Sequence, residues 1–292
     1  MKILFTICGR AGSKGCKNKN LKKLKDVPLV FYTLATIKGF AESNLDYEIQ
    51  VVLNTDSEPL RALLENQNEL PVHYIARKVE LAGDVVPKVD VIKDSFINCS
   101  DFNPDVVVDL DITSPIRKIK DVENVISEYS KGCYDLVFSV VNSRRNPYFN
   151  MVENKNDGFY RKICESNFTA RQQAPSTFEL NASIYAYSPN FLRGKIDKTI
   201  LEYNCGISIM QDYLVLDIDS EEDFEMMEYL YDYYCKVDAE LKTVYDIAKR
   251  LTCNLFCQHI PESCFCGINS NNLSVIFNYT VYNSHMDASY FV

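Results

Sequence analysis

Seven basic residues and three glycines are concentrated in a segment that directly follows the first apolar run of the chain. The run KILFTI (2–7) is typical of a buried strand, and the next segment, CGRAGSKGCKNKNLKKLK (8–25), contains no acidic residue. Its basic residues are Arg10, Lys14, Lys17, Lys19, Lys22, Lys23 and Lys25. Backbone N–H groups of a glycine-rich turn bind anions, and basic side chains add charge for a polyphosphate. The segment therefore predicts a phosphate-binding loop, with a solvated basic turn as the alternative.

Two acids near the other end of the chain have a spacing that indicates metal chemistry. Asp217 and Asp219 lie in YLVLDIDS (213–220), where a strand would place both carboxylates on one face. Such a pair repels unless one acid is protonated or a cation lies between them, and Mg²⁺ prefers carboxylates together with substrate phosphates. We therefore expect a Mg²⁺ site, with Mn²⁺ as a second candidate ion. The alternative is that acids here favour a helix N-terminus, which fits Asp223 better than the spaced pair.

The elements that would position these residues alternate between strand and helix. Strands are predicted at 2–7, 47–54, 72–76, 105–112, 136–141, 181–187 and 213–220. Helices are predicted at 28–42, 57–68, 87–99, 121–131 and about 220–251. This alternation is typical of a three-layer, Rossmann-like α/β fold with a mostly parallel sheet, whose ligands bind at the carboxyl ends of the strands.

Two segments depart from this alternation. Residues 142–179 are polar and rich in turns, which indicates an excursion from the sheet. Residues 253–292 have no sustained period and contain four cysteines and two histidines, so we predict a domain at 1–252 and a Cys-rich extension of unknown structure. Zinc binding by the extension is an alternative, although its Cys spacing is less regular than that of paired C-x₂-C knuckles.

Composition limits the classes of function. The 292 residues carry a net charge of −9, which argues against nonspecific nucleic-acid binding. The apolar runs are of strand length, so neither a membrane span nor a signal peptide is expected. Seven of the eleven cysteines are scattered singly between Cys8 and Cys235, which indicates a reduced, cytoplasmic protein.

The basic loop is specific enough to support a resemblance. Its spacing is neither that of a P-loop nor that of a dinucleotide-binding turn. GRAGSKGCKNKNLKKL (9–24) resembles the N-terminal signature of the CMP-sugar synthetases, approximately A-R-x-G-S-K-G-x-x-x-K-N, with Gly9 in place of a usual Ala. The resemblance implies that the nucleotide triphosphate is held by Arg10, Ser13, Lys14, Lys19 and Asn20.

Later stretches resemble further motifs of this family in the same order. They are LNTDS (53–57), ARKVELAGD (76–84), DLDITSPIR (109–117), ARQQAPSTFELNASIYAY (170–187) and DIDSEEDF (217–224). The resemblance implies that Arg77 contacts the nucleotide and that Lys14, Lys19, Asp217 and Asp219 are catalytic, the two acids through the metal. It implies sugar contacts from Asp111, Thr113, Ser114, Arg171, Gln172 and Asn181.

Without the resemblance, several of these residues have simpler roles. Arg77 could form a surface ion pair with Glu80, and the Thr-Ser-Pro stretch could only cap the next helix. Gln172 and Asn181 could be turn residues.

The resemblance implies a cytidylyltransferase of the nucleotide-diphospho-sugar transferase fold type. Such an enzyme transfers CMP from CTP to the anomeric hydroxyl of a nine-carbon α-keto acid sugar for cell-surface glycans and releases pyrophosphate. Segment 142–179 would be the dimerisation arm of a homodimer and could complete the partner's site. Lys88 and Asp111 add charges where sialate enzymes tend to be neutral, so the branch that activates legionaminic-type sugars is favoured. The alternatives are a Kdo synthetase and a catalytically silent homologue, and the motifs contain no histidine that could act as general base.

Overall fold

A computed structural model of the chain describes residues 1–12, 16–213 and 218–257. The strands in these residues are β1 (Lys2–Gly9), β2 (Lys23–Leu24), β3 (Val27–Pro28), β4 (Glu48–Thr55), β5 (Val72–Ala76), β6 (Val106–Leu110), β7 (Leu136–Asn142), β8 (Val152–Asn154), β9 (Tyr160–Lys162), β10 (Phe178–Tyr187) and β11 (Cys205–Ile209). The helices are α1 (Leu29–Ser43), α2 (Glu58–Glu65), α3 (Lys88–Asn98), α4 (Ile119–Ser130), α5 (Pro189–Arg193), α6 (Glu221–Val237) and α7 (Ala239–Cys257). Five short 3₁₀ turns connect them.

Seven strands form one sheet in the order β11–β7–β10–β6–β1–β4–β5. All neighbouring pairs are parallel except the two that involve β10, which is antiparallel to both β6 and β7. The carboxyl ends of β1, β4, β5 and β6 therefore meet at one edge, together with the amino-terminal half of β10. This arrangement confirms the predicted mostly parallel α/β fold and brings the loops after these strands to one place.

Helices cover both faces of the sheet because successive side chains of each central strand point to opposite sides. Leu4 belongs to a cluster with Val89 and Phe96 of α3, whereas its neighbour Phe5 packs edge to face against Phe40 of α1. Eleven of the fifteen residues of α1 are buried, as expected for a helix covered on several sides. Tyr32 of α1 contacts the ring of Tyr231 in α6, so α6 adds to that layer.

One predicted element was wrong, and another lies partly outside the described residues. Tyr213 and residues 218–220 lie outside any strand, but residues 214–217 are not described, so the strand predicted at 213–220 stays a prediction. The strand beside β7 at the edge of the sheet is β11, which was not predicted. The single helix predicted at about 220–251 is two helices separated at Asp238. The Asp238 carboxylate accepts hydrogen bonds from the backbone N–H groups of Glu240 and Leu241, so this residue caps α7 instead of continuing α6.

A capping box forms the start of α6. The Ser220 hydroxyl accepts a hydrogen bond from the Asp223 N–H at 3.1 Å, and the Asp223 carboxylate accepts one from the Ser220 N–H at 2.8 Å. Asp223 therefore has a structural role, as its position at a helix N-terminus indicated.

The predicted excursion leaves the sheet between β7 and β10. Its two short strands, β8 and β9, pair with each other in a separate antiparallel sheet. Large apolar side chains on the arm are exposed, including Phe159 at 65% and Tyr160 at 69%. The arm therefore presents an apolar surface that its own chain leaves uncovered in the described residues.

Contacts divide the chain into two compact units, Met1–Thr252 and Cys253–Val292. The first contains the whole sheet. Only residues 253–257 of the second, the end of α7, are described. The alternative of a zinc site formed by Cys253, Cys257, His259, Cys264 and Cys266 therefore lies largely outside the described residues. Within the described ranges, no helix has the length and apolarity needed to cross a lipid bilayer.

Candidate active site

The basic loop leaves the sheet at the carboxyl end of β1, where the backbone is tightly packed. A methyl group added at Gly9 would lie 2.4 Å from a Leu60 side-chain carbon and 2.9 Å from one of Ile112, so glycine fits where a larger residue would displace both. Gly12 has a φ of +72°, a left-handed conformation that favours glycine. These two positions allow the chain to turn sharply above the strand ends.

Side chains from neighbouring strand ends hold the loop in place. The Ala11 N–H donates to the Asp56 carboxylate at 2.8 Å, which joins the loop to the segment after β4. The Asn20 side-chain amide donates to the Arg10 carbonyl at 3.1 Å. Arg10 also forms an ion pair with Asp84, in the segment before α3. Asn20 therefore supports the backbone at Arg10 in addition to facing the cavity described next.

A cavity of about 210 Å³ opens beside this loop. Its polar wall consists of Arg10, Lys19, Asn20, Arg77, Asp84, Lys88, Asp111 and Thr113, and apolar residues such as Leu81 and Val86 complete it. Four of these side chains are basic and two are acidic, so the wall favours an anion. The cavity unites the predicted nucleotide contacts at positions 10, 19, 20 and 77 with two predicted sugar contacts, at 111 and 113.

Arg77 is fixed by an asparagine and not by Glu80. Its guanidinium donates to the Asn54 side-chain oxygen at 3.1 Å and to the Asn54 carbonyl at 2.8 Å. Asn54 is fully buried at the end of β4. The simple surface ion pair considered from the sequence is therefore replaced by an anchored cation on the cavity wall.

A lysine between two carboxylates forms the floor of the cavity. Lys88 Nζ lies 2.7 Å from a carboxylate oxygen of Asp109 and 2.7 Å from one of Asp111. The Asp109 side chain is fully buried and accepts a hydrogen bond from the Thr6 hydroxyl at 2.7 Å. Thr113 donates to Asp111 through both its N–H, at 3.0 Å, and its hydroxyl, at 2.9 Å.

These contacts fix the charges of the floor. Burial alone would raise the pKa of Asp111, but Lys88 and the Thr113 hydrogen bonds outweigh it and lower the pKa to about 2. Burial likewise opposes the charged form of Lys88, yet Asp109 and Asp111 raise its pKa well above the ordinary value. Both groups are therefore charged across the physiological pH range, and neither is suited to act as the proton-transferring base.

Arg117 supports the floor from the interior of the protein. Its side chain is fully buried, and its guanidinium donates to the Ser183 carbonyl at 2.9 Å and to the Thr33 hydroxyl at 3.1 Å. Burial lowers the pKa of Arg117 to about 10, so the residue is still charged at neutral pH. Lys88 and Arg117 together balance the charges of Asp109 and Asp111.

Lys19 connects the loop to the segment that carries the predicted metal ligands. Its ammonium donates to the Ile218 carbonyl at 3.0 Å and lies 3.3 Å from an Asp219 carboxylate oxygen. The Asp219 side chain is 78% exposed, so its carboxylate is accessible to a cation and to a substrate phosphate. Ser13, Lys14 and Asp217 lie outside the described residues, and the roles expected for them stay predictions.

The remaining basic residues of the loop do not all serve one anion site. Lys22 pairs with Glu221 at 2.5 Å and lies over the Phe224 ring, and Lys25 pairs with Asp232. Both partners belong to α6. The basic cluster is therefore divided between the cavity, which contains Arg10 and Lys19, and the surface that holds α6 on the loop.

The predicted sugar contacts do not all meet in one place within a single chain. Ser114 and Asn181 line a separate cavity of about 30 Å³ together with Met210 and Tyr213. Asn181 accepts a hydrogen bond from the Ser139 hydroxyl at 2.6 Å, next to the irregularity in β10 where Ala182 has a φ of +51°. Arg171 and Gln172 are exposed on the arm and line neither cavity, and Arg171 donates to the Arg144 carbonyl at 2.5 Å.

Sequence reasoning did not single out Asp84 or Asp109, and it did not predict that Lys88 pairs with both Asp109 and Asp111. The alternation that drew attention to Asp217 and Asp219 also applies to Asp109 and Asp111, which lie two residues apart at the end of a buried strand. That signal was available in the sequence. The contact of Lys88 with both acids depends on how α3 packs on the sheet, which no local pattern reveals.

Comparison with known proteins identifies the family. The cytidylyltransferase family model matches residues 4–251. The chain is 34% identical over 232 residues to post-translational flagellin modification protein B of Campylobacter coli, covering 78% of this chain and 94% of that protein. It is 31% identical over 231 residues to CMP-N,N'-diacetyllegionaminic acid synthase of Campylobacter jejuni, with the same coverage. The chain therefore belongs to the cytidylyltransferase family, whose members are nucleotidyltransferases.

More distant similarity extends to other members and to the fold. The chain is 26% identical over 247 residues to N-acylneuraminate cytidylyltransferase of Streptococcus agalactiae, covering 84% of this chain and 57% of that protein. A solved structure of CMP:2-keto-3-deoxy-manno-octonic acid synthetase complexed with CTP superposes with a TM-score of 0.56 at 13% identity, covering 80% of this chain and 99% of that one. At that identity the superposition supports the fold alone.

Proposed function

We propose that this enzyme transfers CMP from CTP to the anomeric hydroxyl of a nine-carbon α-keto acid sugar and releases pyrophosphate. The observation that carries the proposal is the cavity at the carboxyl ends of β1, β4, β5 and β6, whose wall contains four basic side chains. The Asp219 carboxylate lies beside one of them, Lys19. A triphosphate requires such positive charge, and ligands of open α/β sheets bind at this edge.

The basic side chains would stabilise the charge that accumulates on the leaving pyrophosphate. Arg10 and Lys19 face the cavity and would contact the phosphates, with Ser13, Lys14 and Asn20 completing the loop contacts. Arg77, anchored on Asn54, would contact the nucleotide. Because Arg77 is held by Asn54 before the substrate binds, this group requires little reorganisation as charge develops.

Arg10 must change partner when the triphosphate binds. In the structure its guanidinium is paired with Asp84, which also lines the cavity. A phosphate can replace this carboxylate because both accept a bidentate arrangement of guanidinium N–H donors. Asp84 therefore keeps Arg10 directed towards the cavity in the free enzyme.

The donors near Lys19 fit a divalent metal. Asp219 offers an exposed carboxylate, the type of hard oxygen ligand that Mg²⁺ takes together with substrate phosphates. Asp217 and Asp219 would hold Mg²⁺, with Mn²⁺ as a substitute. When bound, the ion supplies positive charge at the α-phosphate.

The sugar would occupy the side of the cavity that contains Asp111 and Thr113, and Ser114 and Asn181 would contact it from the neighbouring small cavity. The name of the Campylobacter jejuni relative supports a legionaminic-type acid over a sialic acid. The charged Lys88–Asp111 pair supports the same choice, because a change in polarity at the sugar-binding side alters which substituents the site accepts.

The arm would pair two chains into a homodimer. Its exposed apolar residues, such as Val152, Phe159 and Tyr160, would be covered by the second copy. Arg171 and Gln172, which lie away from their own chain's cavities, would then be candidates to complete the site of the partner. Eight cysteines from Cys8 to Cys253 are free thiols, which supports a reducing, cytoplasmic location for the reaction.

Pyrophosphate release tests the proposed function. We would offer CTP and Mg²⁺ together with N,N'-diacetyllegionaminic acid, N-acetylneuraminic acid or Kdo in parallel. We expect sugar-dependent release that is fastest with the legionaminic acid and is abolished by Asp217→Ala or Asp219→Ala. Asp197→Ala is the matched control, because Asp197 is an exposed acid whose contacts, with Lys195 and Tyr203, lie outside the cavities.

The outcomes separate chemistry from specificity. Faster release with another of the three sugars would retain the reaction and change the substrate. No release with any of them, in an enzyme that still binds CTP, would contradict the proposed transfer.

A further inference from the structure

Asp111 lines the cavity and keeps one hydrogen-bond acceptor position that the described residues do not use. Each carboxylate oxygen accepts about two hydrogen bonds. One oxygen of Asp111 already accepts both from Thr113, whereas the other accepts one from Lys88 at 2.7 Å. The side chain lines the cavity and is 22% exposed. Within the described residues, one acceptor position on the second oxygen is therefore open to a ligand.

Lys88 determines the orientation and charge of this acceptor. The lysine approaches from the first turn of α3 and contacts Asp109 and Asp111 at equal distances. The other charged or titratable groups that interact with the pair in the described residues include Arg117 behind β6, Cys8 at the end of β1 and Tyr187 of β10, whose pKa is raised by burial and by Asp109. The pKa of the Cys8 thiol is raised by burial and by Asp109, so it carries no charge. Lys88 is therefore the cation that separates the two acids on the cavity side.

We propose that Asp111 determines sugar specificity by accepting a hydrogen bond from an O–H or N–H group of the sugar, and that Lys88 is a positioning residue that acts through Asp111. This inference rests on the proposed function. It adds that the site recognises a donor at this position, because an ionised carboxylate paired with lysine accepts hydrogen bonds and donates none. A substituent that offers only an acceptor would leave two acceptors opposed and would bind poorly.

Substitution of Lys88 would change the acid pair in a defined way. Without the lysine, two carboxylates face each other across a partly buried space, and one of them takes up a proton more readily. A proton shared by the pair would then weaken the acceptor at Asp111 over part of the working pH range, and Asp111 would lose the contact that orients it. Substitution of Asp111 by asparagine removes this effect, because the residue that faces the sugar is then no longer an acid, while Asp109 keeps its Thr6 hydrogen bond.

The test compares Lys88→Met, Asp111→Asn and the double variant with the wild type. We would measure KM and kcat for the sugar and KM for CTP between pH 5.5 and 9, choosing the sugar that the wild type uses best. Lys88→Arg serves as the conservative variant because it keeps the cation. Thermal unfolding of each protein would show which variants are folded.

We expect Asp111→Asn to raise KM for the sugar at least tenfold while KM for CTP changes less than about twofold, as for loss of one hydrogen bond to a charged acceptor. Lys88→Met should raise KM for the sugar further as the pH falls. In Lys88→Arg, as in the wild type, KM for the sugar should be independent of pH. The double variant should be no worse than Asp111→Asn and should be independent of pH, because Lys88 acts through Asp111.

Several results would overturn the inference. These are additive effects of the two substitutions, an equal loss at every pH in Lys88→Met, or a larger effect on CTP than on the sugar. If Lys88→Met does not fold, a KM for the sugar that depends on pH in Lys88→Arg would also overturn the inference. A wild type that is inactive with every sugar would instead contradict the proposed function itself, so the two failures are distinguishable.

Discussion

The cavity floor and the arm are built in opposite ways. At the floor, Asp109 and Arg117 are fully buried, and their charges are balanced by Asp111 and Lys88 within one chain. On the arm, β8 and β9 pair only with each other, and Phe159 and Tyr160 are more than 60% exposed. The charges of the floor are paired within one chain, whereas the arm exposes apolar side chains that another protein surface would cover.

This difference indicates which part of the site each region supplies. Buried, paired charges are costly to rearrange, so the floor is suited to hold a fixed pattern of donors and acceptors. An exposed arm with Arg171 and Gln172 at its base can reach a ligand only when another surface approaches. We therefore propose that the floor recognises one group of the sugar and that a second chain completes the sugar site.

The largest effect is expected at the cavity, from Lys19→Met. Loss of one cation that faces the leaving phosphates should lower kcat/KM for CTP by about 100-fold or more, as for removal of other preorganised charge-stabilising groups. Steady-state kinetics would measure the change. Lys17→Met is the matched control, since Lys17 is an exposed lysine of the same loop outside the cavity. Equal losses in both variants would mean that only the total loop charge matters.

A mixing experiment would test whether the arm completes the partner's site. Lys19→Met disables the cavity and Arg171→Ala disables the arm, so each variant alone should be strongly impaired. If the site combines residues of two chains, unfolding and refolding an equal mixture should restore about a quarter of wild-type activity, because one site of each heterodimer is intact. Activity that only averages the two variants would assign Arg171 to its own chain.

An intermediate effect on stability is expected from the charges of the floor. The pKa of Asp111 in the folded protein, about 2, is below its usual value, so its ionised form stabilises the fold above about pH 4 and this contribution is lost as the pH falls towards 2. Asp111→Asn should therefore reduce the free energy of unfolding by about 2 kcal/mol at neutral pH and by much less near pH 2.5. Urea unfolding at several pH values would measure it. A difference that is constant with pH would contradict the assigned ionisation.

The smallest effect is expected from the ion pairs that join the basic loop to α6. Lys22→Met should lower the free energy of unfolding by less than about 1 kcal/mol, because the Lys22–Glu221 pair is partly exposed to solvent. Urea unfolding at low and high salt would measure this contribution. A loss of several kcal/mol would show that α6 depends on this pair far more than its exposure indicates.

The sheet could be predicted from the sequence where local pattern and tertiary packing agree. The apolar runs that became β1, β4, β5, β6 and β7 are each bounded by turn or capping residues. The edge strand β11 was missed because CGISI is short and alternates only weakly. The break between α6 and α7 was missed because Asp238 is compatible with a helix in sequence terms, and its capping role depends on contacts that include Lys118.

The site could be predicted as far as its motifs extend along the chain. Arg10, Lys19, Asn20 and Arg77 were expected near the nucleotide, and all four line one cavity. The charge balance among Lys88, Asp109, Asp111 and Arg117 was not predicted from the sequence. It joins residues from β6, the loop after it and α3, and such contacts follow from packing rather than from spacing.

The transfer of the α-phosphate from CTP to the sugar is the most direct test of the central claim. We would incubate the enzyme with CTP labelled at the α-phosphate, Mg²⁺ and N,N'-diacetyllegionaminic acid, and follow the label by chromatography and mass spectrometry. We expect the label in a CMP-sugar, in amounts equal to the pyrophosphate released, and its loss in Lys19→Met. Label that appears only as free CMP at a rate independent of the sugar would contradict cytidylyl transfer, because the nucleotide would then be hydrolysed.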